Sequence, residues 1–156
     1  GHTFFIEDAV ETKCRLERNL AVQTKRSWSL LNTDQTPASF WITNPDNILR
    51  GNHAAGSDRY GYWYDTQKTA MGPSFDPNVC PENTKIGEFT DNVTHSNGRY
   101  GLRLFHNLIP RQFPCKAFSA DQDALTAGTD PYVANPPVTA EFRNLVSYKN
   151  GRNGAI

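Results

Sequence analysis

The chain has 156 residues, 37% hydrophobic and 12% aromatic, with 16 basic and 16 acidic residues that cancel. That length gives one domain with a real core, and mixed, balanced charge argues against a nucleic-acid surface or an electrostatic membrane patch. Apolar runs such as "FFI" and "FWI" fall far short of the eighteen or so residues that span a bilayer.

The chain opens on Gly1 and a strand-like "GHTFFIED", with neither a basic nor an h-region of signal type. The expectation is a piece of a longer chain, residues 1–156 forming one region of it. An Arg-x-Gly signature then recurs without gaps in "NHAAGSDRYG" (52–61), "NVTHSNGRYG" (92–101) and "LVSYKNGRNG" (145–154), and "NLAVQTKRSW" (19–28) is a weaker fourth copy with Asn and Arg in register and no final Gly. The anchors are Asn19, Asn52, Asn92 and Leu145, spaced by 33, 40 and 53 residues. Those spacings are too unequal for a helical solenoid of nearly fixed period. Each unit reads as a short β segment, a polar turn, then Gly and a second β segment rich in aromatics. The stretches 69–84 and 116–137 are dense in Pro, Gly, Asp and Asn, so they read as long surface loops. No window sustains a capped helical period, and helix should be minor.

Repeated short strands, polar turns at fixed offsets and tolerated insertions describe an all-β chain, a parallel β-helix of about four coils. In that fold the anchoring Asn residues stack as a hydrogen-bonded ladder. The Gly after Arg-x supplies a bend or a backbone angle closed to other residues. A β-sandwich is the rival, but it predicts no gap-free recurrence of turn residues.

Several words in fixed order carry a family likeness: "GHTFFIEDAVE", "ASFWITNPDN", "NHAAGSDRYGYWYD", "GPSFDPNVCP", "GEFTDNVTHSNGRYGLRLF" and "RNLVSYKNGRNGA". They resemble the parallel β-helix region of fibrocystin-L, and more loosely the cell-surface transmembrane hyaluronidase and the cell-migration-inducing hyaluronan-binding protein. The segment "LLNTDQTPASFWITNP" favours the fibrocystin side. The resemblance implies a right-handed parallel β-helix, a fragment of a larger solenoid in a secreted or membrane-anchored protein. It also implies a cell-surface, even ciliary, location and a structural or recognition role beside other cell-surface proteins. The hyaluronidase branch supplies the enzymatic alternative, polysaccharide hydrolysis, and a non-catalytic glycan-binding module is a third reading.

Three cysteines, with no Cys-x-x-Cys pair, support neither a zinc ribbon nor a thioredoxin-type site. Cys80 and Cys115 lie in Pro-containing loops and are either a disulfide or two unpaired thiols. Their match to loop cysteines of the fibrocystin branch raises the disulfide reading. Cys14 stands where the resemblance places Asn.

The sequon "NVT" makes Asn92 a candidate for an N-linked glycan, in conflict with Asn92 as an inward ladder residue. The register places Arg26, Arg59, Arg99 and Arg152 at one position of four coils, a track for an acidic polysaccharide if they face outward. The bland alternative is four solvated turn residues paired with acids such as Asp58. In "YGYWYD", either Trp63 or its neighbours Tyr62 and Tyr64 must face out, and an outward Trp63 is a sugar-stacking candidate. Glu7, Asp8 and Asp65 follow strand segments but fall in no common register, so no catalytic residue is assigned. His2, His53, His95 and His106 lack metal-ligand spacing, and neither a metal nor a cofactor is expected.

Overall fold

The computed structural model describes residues 1–28 and 35–156. The beginning of the motif at 30–45, residues 30–34, lies outside them. Among the described residues eleven strands form three parallel sheets. Sheet A stacks β1 (Phe4–Ile6), β4 (Ala38–Ile42), β7 (Tyr60–Thr66) and β10 (Tyr100–His106). Sheet B stacks β2 (Arg15–Glu17), β5 (Ile48–Arg50) and β8 (Glu88–Thr90). Sheet C stacks β3 (Leu20–Val22), β6 (His53–Ala55), β9 (Val93–His95) and β11 (Val146–Tyr148). Successive strands in the first three coils visit A, B and C in turn, and a fourth coil adds β10 to A and β11 to C and meets sheet B through the bridge Thr90–Arg143, so the fold is a parallel β-helix of four coils.

Sheet C pairs Leu20 with His53, His53 with Val93 and Val93 with Val146. The preceding row is therefore Asn19, Asn52, Asn92 and Leu145, the register that the repeat gives. Asn52 Oδ1 accepts from both the backbone N–H and the side-chain amide of Asn19, at 3.0 Å each. Asn92 Oδ1 does the same for Asn52, at 2.9 and 3.2 Å. A second ladder runs five residues on, where Asn97 Oδ1 accepts from Ser57 N–H and Asn150 Oδ1 from Asn97 N–H and Nδ2. These amides satisfy corner N–H groups that no strand pairing reaches, which is why short polar side chains recur there.

The corners also explain the backbone. Arg18, Gly51, Asp91 and Asn144 share one row between sheets B and C, and all four have φ between 51° and 64°. Gln23, Gly56, Ser96 and Lys149 share the row after sheet C, with φ between 51° and 72°. Each coil thus turns twice through the left-handed region. The Gly of Arg-x-Gly has a different purpose from the one expected. Gly101 is not in the left-handed region; a Cβ there would run into Ser147 Oγ and Gly154 O of the next coil. It is a close-approach position.

The interior is filled by rows of like residues. Phe4, Phe40 and Tyr62 stack with ring centroids 4.7 and 4.8 Å apart. Ile42, Leu49, Ala54, Tyr64 and Phe89 complete the core beside them. Burial pushes the phenols of Tyr62 and Tyr64 well above the usual tyrosine range.

The expected loop at 116–137 is corrected by the structure, which places helix α1 (Ala117–Ala127) and helix α2 (Pro131–Ala134) in it. Gly128 in the left-handed conformation ends α1, and Asp130 caps α2 by accepting from Tyr132 N–H. The helical period escapes sequence reading because α1 buries only Ala117 and Ala124, leaving no apolar stripe. The excursion is pinned by the Cys80–Cys115 disulfide, with Cα atoms 5.2 Å apart. Arg111 also holds it: Nη1 donates to Asn135 O at 2.8 Å and Nη2 faces Asp121 at 3.2 Å.

Candidate functional site

The outer face of sheet A carries chemistry at both ends. At its entry corner, Arg99 N–H donates to Arg59 O at 2.8 Å and Arg152 N–H to Arg99 O at 2.7 Å. Three guanidinium-bearing residues therefore stand on adjacent rungs, about 4.8 Å apart along the stack. Arg103, on β10 four residues beyond Arg99, lies over Tyr60, Tyr100, Trp63 and Phe105, with its guanidinium carbon 4.8 to 5.7 Å from the ring centroids. Arg99 Nη1 donates to Tyr60 Oη at 3.3 Å. Among the described residues none of Arg59, Arg99, Arg103 and Arg152 has a carboxylate partner. Arg152 beside the phenol, with Arg99 and Arg103 near it, holds Tyr100 below the usual tyrosine range.

Arg26, the first residue of the predicted row, sits differently. Its backbone N–H donates to Asp58 Oδ2, whose other oxygen takes Lys25 Nζ. The Arg26 N–H is the main cause of a lowered Asp58 pKa. The Arg26 guanidinium stacks at 5.7 Å on Trp28, which is 81% exposed. Sequence reasoning missed Trp28 and Arg103, and the signal was available for Trp28 as the aromatic two residues past Arg26.

Trp63 faces outward while Tyr62 and Tyr64 face the core, but Trp63 is only 7% exposed. It packs against Trp41, Tyr60 and Phe105. The expectation of an open stacking ring at Trp63 is corrected: it is the floor beneath Arg103.

At the far end of the same face, Ile6 pairs with Ile42 and Ile42 with Tyr64, so the next row is Glu7, Thr43 and Asp65. The reading that these acids share no register is therefore corrected for Glu7 and Asp65. With Asp8 and Trp41 they line a small pocket of about 180 Å³. Burial raises the Asp65 pKa, opposed by His106 at 3.4 Å and by the Gln67 amide at 3.1 Å. Asp8 accepts from Ser74 Oγ at 2.7 Å. Two rungs separate Glu7 from Asp65, roughly 10 Å at the backbone, close to the outer limit of carboxylate spacing in inverting glycoside hydrolysis.

Asn92 is corrected as a glycan acceptor. Its side chain is fully buried, and the amide nitrogen that a glycan would occupy donates to Leu49 O at 2.9 Å. Cys14 stands one rung from Asn47, whose Oδ1 accepts Cys14 N–H at 2.8 Å.

The CEMIP beta-helix family model matches residues 29–102. Fibrocystin-L of Mus musculus is 48% identical over 112 residues, covering 72% of this chain and 3% of that protein. The cell surface hyaluronidase CEMIP2 of Homo sapiens is 32% identical over 190 aligned positions, 99% of this chain and 13% of that protein. The cell migration-inducing and hyaluronan-binding protein of Homo sapiens is 25% identical over 186 positions, 99% of this chain and 14% of that protein. No solved structure matches the chain. The chain thus spans a small part of the relatives it matches, and it is similar to their β-helix region.

Proposed function

We propose that this fibrocystin-L-like parallel β-helix region is a rigid recognition scaffold of a cell-surface protein, with the basic end of sheet A as its contact for an acidic polysaccharide. The observation that carries the reading is the set Arg59, Arg99, Arg103 and Arg152, four guanidiniums on three neighbouring rungs with no carboxylate partner among the described residues. A charge row of one sign, held on rigid strands, favours an extended polyanion lying along the stack. The names of the relatives support the ligand class, since they include a hyaluronidase and a hyaluronan-binding protein. A disulfide suits the oxidising environment of a cell-surface protein.

The test is binding of the parent protein to hyaluronan and to heparan sulfate, with Arg99→Ala and Arg152→Ala combined. The expected result is at least a tenfold loss of affinity for one polymer and a steeper loss with added salt in the unsubstituted protein. Unchanged binding overturns the reading. The acid row favours a second reading, hydrolysis with Asp65 as the acid, because Asp65 shares a row with Glu7 and burial raises its pKa. Its test is chain shortening of hyaluronan by the parent protein and its Asp65→Asn variant.

A further inference from the structure

The connection from β7 to β8 begins with a closed neck. Ala70 N–H donates to Val79 O at 3.0 Å, so residues 70–79 leave and return at one point, the form of an Ω-loop. Both ends of the neck are fixed, since Ala70 is fully buried and Cys80 carries the disulfide. The strap between them is braced internally: Phe75 N–H donates to Gly72 O, Val79 N–H to Asp76 O and Asn78 N–H to Asp76 Oδ1. It has little else to hold it. Met71 and Phe75 are 56% and 64% exposed. Among the described residues one hydrogen bond joins 71–78 to the coils, Ser74 Oγ to Asp8 Oδ2 at 2.7 Å. Segments with so few buried contacts on a rigid frame are the ones that open locally.

The tether lies on the acid row. Met71 and Gln67 line the small pocket of Glu7, Asp8 and Asp65, and they also line a neighbouring cavity of about 340 Å³ that reaches Glu82, His106 and Asn107. These two residues are therefore the wall between the two spaces. Gln67 is held in place, its amide 3.1 Å from Asp65 Oδ1 and 3.2 Å from His106 Nδ1. Met71 belongs to the strap. Swinging the strap out about its neck removes the Met71 half of the wall and joins both spaces over the Gln67 amide, as one cleft across the far end of sheet A.

We propose that residues 71–78 are a gate over the acid row, latched by Ser74 on Asp8 and hinged at the Ala70–Val79 neck. Latched, the strap confines Asp65 to the small pocket; released, it opens the longer cleft. Asp8 is both the latch and a member of the row. A ligand that engages its carboxylate competes with Ser74 and so favours the open state. The gate controls access and not reaction, so it stands or falls apart from the hydrolytic reading.

The test is carboxyl labelling of the parent protein with a carbodiimide and glycine ethyl ester, read residue by residue from peptide masses. Ser74→Ala should label Asp65 about tenfold faster, the weight of one hydrogen bond to a charged group, with Glu17 on sheet B unchanged. Ser74→Thr keeps the hydroxyl and should label as the unsubstituted protein does. Replacing 71–78 by Gly-Gly keeps the neck, sets the fully open rate and should be the fastest. A Ser74→Ala rate equal to that of the unsubstituted protein overturns the latch, and a shortened strap that leaves Asp65 slow overturns the gate. An equal rise at Glu17 in either variant would show that 71–78 supports the coils instead of gating a site, and overturns the proposal as well.

Discussion

The coils and the excursion between β10 and β11 meet the same demand, satisfying backbone polar groups away from water, by different means. In the coils the partner is always one rung away: Asn52 accepts from Asn19 and donates to Asn92, and the neighbours repeat the pattern. In the excursion the partners belong to single residues. Arg111 binds Asn135 O and Asp121, Asn135 Oδ1 accepts Phe113 N–H, and a disulfide closes the base. A ladder spreads any defect to both neighbouring rungs, while a pin confines it. The sharpest way to break this comparison is Asn52→Ala. It orphans the Asn19 N–H and Leu16 O and takes from Asn92 Oδ1 one of its two donors, the backbone N–H of residue 52 remaining. At 1–3 kcal/mol per buried unsatisfied group, a loss of about 4 kcal/mol is expected. Denaturant unfolding should show it, with amide exchange rising in all four coils.

Gly101→Ala is the next largest. The new methyl meets Ser147 Oγ and the Gly154 carbonyl, so the last two coils must separate. A cost of about 3 kcal/mol is expected, again seen as a lower unfolding midpoint. In the excursion, Arg111→Ala should behave differently. Its guanidinium also stacks at 4.2 Å on Tyr132, so both helices lose their common anchor. Amide exchange in 113–135 should rise at least tenfold, with the coil amides and the global midpoint nearly unchanged. A fall in the global midpoint comparable to that of Asn52→Ala would erase the distinction between ladder and pin.

The same difference decided what the sequence disclosed. The coil register was legible because a ladder forces identical residue types into identical offsets: Asn19, Asn52 and Asn92 could be aligned without knowing a single contact. The basic row was legible for the same reason. Burial was not, because alternation gives the direction of Trp63 but not what lies above it, and Arg103 enters the site through packing on rings from two rungs. The Glu7 and Asp65 row was hidden by unequal insertions, since their shared register counts from strand starts and not from the Asn anchors. Helix α1 left no signal because its buried face consists of two alanines.

Smaller effects come from the left-handed corners. Gln23 occupies a row where Gly56 also occurs, and it pays the side-chain penalty of positive φ. Gln23→Gly relieves that strain and loses some chain entropy, for a net stabilisation of about 0.5 kcal/mol. The comparison predicts the opposite sign in the excursion, where Thr126→Gly sits inside α1 and should cost about 0.5 kcal/mol locally. Thermal unfolding resolves the first and amide exchange the second.

The smallest effect expected is that of Asp65→Asn, and its sign depends on pH. Burial raises the folded-state pKa of Asp65 above the unfolded value, so the fold prefers the protonated acid. That preference is present below the ordinary carboxylate range of about 4 and is lost as pH rises through the folded value. Above it the protein carries a largely buried charge, with His106 Nδ1 3.4 Å away. The Asn variant keeps a neutral side chain in place and loses only the acceptor strength toward Gln67. Its stability relative to the unsubstituted protein should therefore improve as pH rises from about 4 through the raised folded value. Urea midpoints across that range measure the step. A variant that loses ground as pH rises would show that Asp65 is held as a carboxylate, and the acid end of sheet A would then be an ion-pair site and not a proton donor.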